Sequence, residues 1–289
     1  MDAIISGLVL GGLYALIAQG FVLTFVATRT LNFAAGELMA LAAFLALWLG
    51  AAGWSTPALS FALVVVALAA LGSLVYLLVI RRFSDQGGHD TRWLLTTIGL
   101  SIIVLNLLQN SQGELPRVLG YGKIDGYADV LGVRVPAQSL LIAIVALAIS
   151  LILWLVSTRT MWGLRMRAVS EDPSTAALMG VSPRRIALGA YGLATAITGA
   201  AAMLWSAEVG VSVHLGAPLL IGSFAVAVIG GLTSIPGVIV GGIVYGVATQ
   251  VSGYQLGPIW GEISGLCLVV LVLVVKPEGL LGRRMEIKV

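Results

Sequence analysis

Hydrophobic positions in this chain fall in long blocks rather than alternating stripes. No charged residue interrupts the runs Ala3–Ala27, Pro57–Ile80, Trp93–Leu108 and Ala137–Val156, and Ile186–Ser206 is equally free of charge. A helix needs about 20 apolar residues to cross a bilayer, so these five are the main candidates for spans. Leu38–Ala51, Pro218–Gly231, Gly237–Val251 and Ile263–Val275 are shorter, about 14 residues each, and lie beside Gly or Pro. Such segments suit broken or tilted helices, the form a transport pathway takes in membrane proteins. The pattern predicts an all-α polytopic membrane protein with about nine segments, within a range of 8–10 transmembrane or broken helices. The alternation that marks a membrane β-barrel is absent.

Composition sharpens this picture. Of 289 residues, 59% are hydrophobic and 10% charged, and the mean hydropathy is +1.04. Soluble domains carry about 25% charged residues. The pI near 9.2 would suit a nucleic-acid binder, but topology explains the basic residues better. Cys267 is the single cysteine, so the sequence carries no disulfide framework. The first apolar run is too long for a secretory signal and has Asp2 where a basic residue belongs.

Basic residues set the orientation. With nine spans and an outside N-terminus, Arg29, Arg81, Arg82, Arg92, Arg159, Arg165, Arg167, Arg184, Arg185, Lys276, Arg283, Arg284 and Lys288 fall inside. Those are thirteen of sixteen, and only Arg117, Lys123 and Arg134 fall outside. The expected organisation is one transmembrane domain over 1–289. It has a cytoplasmic loop at 158–185, an outer loop at 109–136 and a cytoplasmic tail at 276–289.

One stretch breaks the apolar pattern: "SEDPSTAALMGVSPRR", Ser170 to Arg185. Asp172 is a good N-cap and Pro173 suits the first helical position. Gly180 can take the left-handed conformation that closes a helix, and Ser182-Pro183 repeats the start signal. This predicts a helix of about seven residues, roughly 10 Å long, displayed in the cytoplasm with a small-residue face at Ala176 and Ala177. A solvated loop with an incidental turn is the plainer alternative. The chain has no G-x-x-x-x-G-K-[ST] loop, so energy for any pumping would come from a partner or an ion gradient.

Other positions invite chemistry. Glu37 stands at the mouth of a membrane segment, where ionisable residues are functional candidates. It either lines a pathway together with Asn32 or rests in a helix first turn, steadied by the dipole and Arg29. Gly230 and Gly231 open the Gly-rich "GGLTSIPGVIVGG", which serves close helix packing or a pathway. "GLVLGGLYALIA" and "GVIVGGIVYGVA" share the form G-x-x-x-G-G and run in opposite directions in the threading, as an inverted repeat would. In a chain with 36 glycines, chance gives the same form. His214, beside Glu208 at an outer helix end, is either a pH reporter or a solvent-edge residue. No metal-ligand cluster, H-E-x-x-H, G-x-S-G or paired Asn-Pro-Ala motif occurs. These absences argue against an intramembrane protease and an aquaporin-type channel. No Asp or Glu reads as deep within a span, which argues against an ion-coupled secondary transporter, the main competing class.

The segment "GLRMRAVSEDPSTAALMGVSPRRI" resembles the cytoplasmic loop of ATP-binding-cassette importer permeases of the branched-chain amino acid (Leu/Ile/Val) family, which also covers urea and short-chain amide permeases. "TLNFAAGELMALAAF" resembles that family's N-F-A-x-G-E block, with Ala35 where a His is common. "AVAVIGGLTSIPGVIVGGIVYG" and "VKPEGLLGR" resemble its Gly-rich signature and C-terminal end. The resemblance covers nearly the whole chain, and the early first span is similar to that of the shorter of two partner permeases. It implies a non-catalytic subunit of a bacterial inner-membrane importer. A second permease, two cytoplasmic ATPases that hold ATP and magnesium, and an extracytoplasmic binding protein would be its partners, and this chain would bind no cofactor. It also implies that Glu171, Asp172, Pro173, Ala176, Ala177 and Gly180 belong to the coupling helix that docks on an ATPase. Asn32, Glu37, Gly230 and Gly231 would lie on the pathway. An apolar path suits Leu, Ile or Val, and urea, amides and other small organic solutes stay open.

Overall fold

The computed structural model describes residues 2–53, 56–84, 92–119, 123–130 and 133–282. Arg283, Arg284 and Lys288 of the expected tail lie outside them, as does His89.

Helices account for nearly every described segment. In chain order they are α1 (Asp2–Thr28), α2 (Ala35–Ala51), α3 (Pro57–Val75), α4 (Arg81–Ser84) and α5 (Arg92–Gln112). A π-turn over Tyr76–Ile80 joins α3 to α4. A two-stranded hairpin follows, β1 (Tyr127–Val130) with β2 (Val133–Pro136), antiparallel with Tyr127 opposite Pro136. Then come α6 (Ala137–Arg159), α7 (Met161–Glu171), α8 (Pro173–Leu178), α9 (Pro183–Val209), α10 (Gly216–Gly230), α11 (Ile235–Leu256) and α12 (Pro258–Val275). Among the described residues seven helices are long and apolar enough to cross a membrane, counting Pro57–Ile80 as one, and α2 and α10 are shorter apolar helices. The total of nine agrees with the hydropathy pattern.

Three boundaries differ instructively. Gly237–Val251 and Ile263–Val275 read as short segments, yet α11 has 22 residues and α12 has 18. Trp93–Leu108 extends to Gln112 in α5. Within α5 and α11 polar side chains hydrogen-bond their own helix backbone: Asn106 Nδ2 donates to the Ile102 carbonyl at 2.8 Å, and Thr249 Oγ1 to that of Tyr245 at 2.9 Å.

The chain forms two compact units. Unit 1 comprises residues 1–22, 126–154 and 221–289, and unit 2 comprises 23–125 and 155–220. Helices α1, α6 and α10 contribute a segment to each.

In unit 1, α1 packs antiparallel on α11 along a glycine seam. A methyl group added at Gly7 would lie 2.7 Å from the Val247 Cα, and one at Gly246 would lie 2.5 Å from the Gly11 Cα. The two G-x-x-x-G-G stretches are thus each other's packing partners. Tyr14 meets Tyr245 edge-on beside this seam, with centroids 5.6 Å apart. Buried Gln19 donates from Nε2 to the Ser150 hydroxyl at 2.7 Å.

In unit 2, α9 is the central element, and most of its length is buried against α2 and α3. Gly72 and Gly192 let α3 approach it: a methyl at Gly72 would lie 2.6 Å from the Tyr191 carbonyl oxygen. Tyr76, Ile80, Ala27, Ala187, Ala190 and Tyr191 form one buried cluster.

Candidate functional site

The polar stretch folds as its punctuation requires. Asp172 has extended backbone angles and caps α8. Its Oδ1 accepts the Ser174 amide at 2.9 Å and the Ser174 hydroxyl at 2.6 Å. The Thr175 amide reaches the same oxygen at 3.1 Å, and the Thr175 hydroxyl reaches Oδ2 at 2.6 Å. The Ser174 hydroxyl, then that of Thr175, together with the amides, holds the Asp172 carboxyl well below the usual carboxylate range. Gly180 closes the helix at φ +82°. The Val181 amide reaches back to the Ala176 carbonyl and the Gly180 amide to that of Ala177, both at 3.0 Å, which is the paired closure of a Schellman end.

Three details correct the sequence reading. The helix runs Pro173–Leu178, six residues, and a separate 11-residue helix, α7, precedes it. Thr160 starts α7, its hydroxyl accepting the Gly163 amide at 3.3 Å. Met166 and Val169, three residues apart, bury its inner face; that spacing was the available signal. Second, Ala176 is 4% exposed and faces inward, so it cannot belong to a displayed face. Ala177 is exposed, beside Leu178 at 89% and Met179 at 80%. The outer surface of α8 is thus an apolar knob rather than a small-residue groove. Third, Ser182 makes no side-chain cap on α9, although Pro183 starts that helix as expected. Glu171 ends α7 and Pro173 begins α8, both exposed.

The start of α2 is the second polar place. Residues 29–34 leave the end of α1 without helical structure. Arg29 takes φ +57°, the only positive φ outside glycine among the described residues. Its guanidinium donates to the Ser170 carbonyl, so Arg29 is tied to α7 and not to Glu37 as expected. Thr30 is hydrogen-bonded to the Tyr191 hydroxyl at 2.8 Å. Asn32 turns the chain: its Oδ1 accepts the Ala34 amide at 3.1 Å and its carbonyl the Ala35 amide at 3.2 Å.

Glu37 sits in the first turn of α2, 7% exposed. Ser101 of α5 and His214 lie within electrostatic reach of its carboxyl. The oxygen Oε2 is buried without a hydrogen-bond partner. Ser101 is the tenth of the 21 residues of α5, about 14 Å from one end and 16 Å from the other. The Glu37 carboxyl therefore lies halfway along an apolar helix rather than at its mouth. The expectation that no carboxylate lies deep in a span is corrected with it: the six residues after Thr28 run unwound, which carries the start of α2 inward before the helix begins.

Gly36 meets Gly216 backbone to backbone. A methyl on Gly36 would lie 3.2 Å from the Gly216 carbonyl oxygen, and one on Gly216 would clash with the Gly36 carbonyl. The first turns of α2 and α10 therefore touch. Asn32 and Glu37 come together here, both in unit 2. Gly230 and Gly231 belong to unit 1, where they form the turn between α10 and α11. The C-terminal stretch covers that turn: the Leu280 amide donates to the Ile229 carbonyl at 2.7 Å and the Leu281 amide to that of Gly230 at 3.2 Å. Their surroundings are those of a packed turn.

Among the described residues, nine apolar helices define a polytopic membrane protein. The sequence model of the family described as the branched-chain amino acid transport system permease component matches residues 3–275, and the chain belongs to that family. It is 29% identical to the high-affinity branched-chain amino acid transport system permease protein BraD of Pseudomonas aeruginosa, over 98% of this chain and 96% of that protein. It is 27% identical to LivH of Escherichia coli, with the same coverage. A probable LivH of Methanocaldococcus jannaschii is 25% identical over 96% of this chain and 91% of its own length. Among solved structures, a chain of PsaBC from Streptococcus pneumoniae in complex with Fab shares the fold at a TM-score of 0.51 and 13% identity, covering 94% of this chain and 91% of that one. The chain is thus a multi-pass transport permease of the ATP-binding-cassette class.

Proposed function

We propose that the chain is a permease subunit of an importer for branched-chain or other small hydrophobic amino acids in a bacterial inner membrane. It pairs with a second, homologous permease and two cytoplasmic ATPases that hold ATP and magnesium. An extracytoplasmic protein delivers the substrate, and this chain binds no cofactor of its own. The N-terminus lies outside, with the segment 158–185 and the residues after 276 inside and the segment 109–136 outside. The observation that carries this reading is α8: six residues, capped at Asp172, closed at Gly180, with Leu178 and Met179 bare to solvent. Apolar side chains on a short rigid helix outside the membrane call for a partner, and a motor subunit with a matching groove is the partner an importer requires.

In this mechanism ATP closes the ATPase pair, and the movement reaches α8 through its exposed knob. Helices α7 and α9 flank α8 in sequence, so the movement passes to both. Asp172 and Gly180 keep the helix short and rigid enough to transmit it.

The buried Glu37 favours a second reading, an ion-coupled secondary transporter, because such proteins place carboxylates at mid-membrane. Urea or short-chain amides stand as alternative cargo within the same class. Proteoliposomes containing the chain with its second permease and ATPases, supplied with loaded binding protein, decide among these. Leucine uptake is expected to require ATP inside, and to survive a protonophore. Uptake by the chain alone, driven by a proton gradient, would establish the second reading.

A further inference from the structure

In unit 2, two unwound segments approach each other from opposite ends of α9. Residues 29–34 come from the end where Thr30 meets Tyr191, the ninth residue of that 27-residue helix. Residues 210–215 come from the other end, where Val211 and Arg117 exchange backbone hydrogen bonds of 2.8 and 2.7 Å. Both segments end where a helix begins, and the two beginnings touch at Gly36 and Gly216. Helices α2 and α10 have 17 and 15 residues, about 25 and 22 Å. Each is short of the roughly 30 Å hydrocarbon core, as expected of helices that start inside it.

Each helix start carries the positive end of a dipole and favours an anion. Against this pair of positive ends stands the Glu37 carboxylate. It is nine-tenths buried, within electrostatic reach of Ser101 and His214, and Oε2 has no donor. A buried carboxylate oxygen without a donor is costly. The place thus offers two opposite attractions side by side, helix starts for an anion and Oε2 for a cationic donor. A zwitterion satisfies both.

We propose that the meeting point of α2 and α10 is a subsite for an α-amino acid, with Glu37 Oε2 accepting its ammonium group and the two helix starts facing its carboxylate. This rests on the amino-acid reading of the cargo and deepens it. No bond is made or broken. The ammonium replaces the donor that Oε2 lacks, and the side chain of the ligand is left unspecified.

The test uses the purified complex of both permeases and ATPases without binding protein, so that the ligand meets the membrane subunits directly. Two probes share a side chain and a carboxylate: L-leucine and 4-methylpentanoate, which lacks the ammonium. Millimolar leucine is expected to raise the thermal midpoint of the complex, and 4-methylpentanoate to leave it unchanged. Glu37→Gln, nearly isosteric, should fold with an unaltered midpoint but lose the leucine shift, and Glu37→Asp should keep part of it. In proteoliposomes Glu37→Gln should slow leucine uptake about tenfold or more while loaded binding protein still stimulates ATP hydrolysis. An equal leucine shift in Glu37→Gln and wild type, an equal shift with both probes, or no leucine shift in wild type overturns the subsite. Absence of ATP-driven leucine uptake by the wild-type complex overturns the cargo reading itself, which separates the two failures.

Discussion

At the scale of single residues, local chemistry is legible where one side chain serves its own backbone. Asp172 and Gly180 are such cases. A capping carboxylate followed by proline, and a glycine six residues beyond that proline's neighbour Ser174, admit few conformations, and the structure adopts the expected one. Because the folded Asp172 carboxyl titrates below the ordinary value of about 3.9, its contribution is complete above that pH. It is lost only as pH falls through the lower folded value. Exchange of the Ser174 and Thr175 amides, corrected for intrinsic rates, should therefore stay protected from neutral pH down to about 4. Asp172→Ala should exchange several-fold faster throughout that range. Loss of protection in the wild type already near pH 5 would show that the carboxylate is not the cap. Glu37 was harder to place. Its position depends on the unwound residues before it, and nothing in "TLNFAAGE" distinguishes a helix that starts at the membrane surface from one that starts inside. Arg29 is hidden for the same reason: its partner, the Ser170 carbonyl, is 141 residues away and leaves no trace in local pattern.

At the scale of elements, hydropathy finds the helices, but not which of them touch. The glycine repeats show what lies between. Their shared form is visible in the sequence, and its meaning, antiparallel contact of α1 with α11, comes only from the fold. That contact makes a sharp prediction for neighbouring positions. A methyl at Gly11 would collide with the Gly242 carbonyl oxygen, whereas one at Gly12 would sit 3.9 Å from the Ala146 Cβ, an ordinary contact. Gly11→Ala should destabilise the protein by about 1–3 kcal/mol through overpacking. Gly12→Ala should be neutral, or stabilising by up to about 1 kcal/mol through helix propensity. Thermal midpoints of the two variants in one detergent would check this, and equal midpoints would mean that the seam is loose. Helix α7 and the β1–β2 hairpin escaped the sequence reading because both lie in polar stretches, where hydropathy blocks carry no signal. The amphipathic spacing Met166–Val169 and the alternation in "VRVP" are too short to stand alone.

At the scale of the whole molecule, orientation follows from charge, and coupling follows from orientation. The threading that puts thirteen of the sixteen basic residues inside predicts that a cysteine at Ser174, in a background with Cys267 replaced by serine, reacts with a membrane-impermeant maleimide only from the cytoplasm. One at Ser111 should react from outside. Both positions are exposed, so silence would reflect sidedness rather than burial, and labelling of Ser174 from outside would reverse the threading and remove the docking role of α8. Given that role, the shape of α8 should matter more than its charge. Valine at Gly180 must hold a left-handed backbone at a cost of about 1 kcal/mol or more, so Gly180→Val should unwind or tilt the end of α8 that carries Leu178 and Met179. Ala177→Trp leaves the backbone alone and places a large ring on the exposed surface beside them, where a closely fitted partner has no room. Both variants should reach the membrane in normal amount and transport at a small fraction of the wild-type rate. Substrate binding to the separate binding protein should be unchanged, while ATP hydrolysis by the complex should lose its stimulation. Normal uptake by both variants at normal expression would show that the apolar knob of α8 touches no motor.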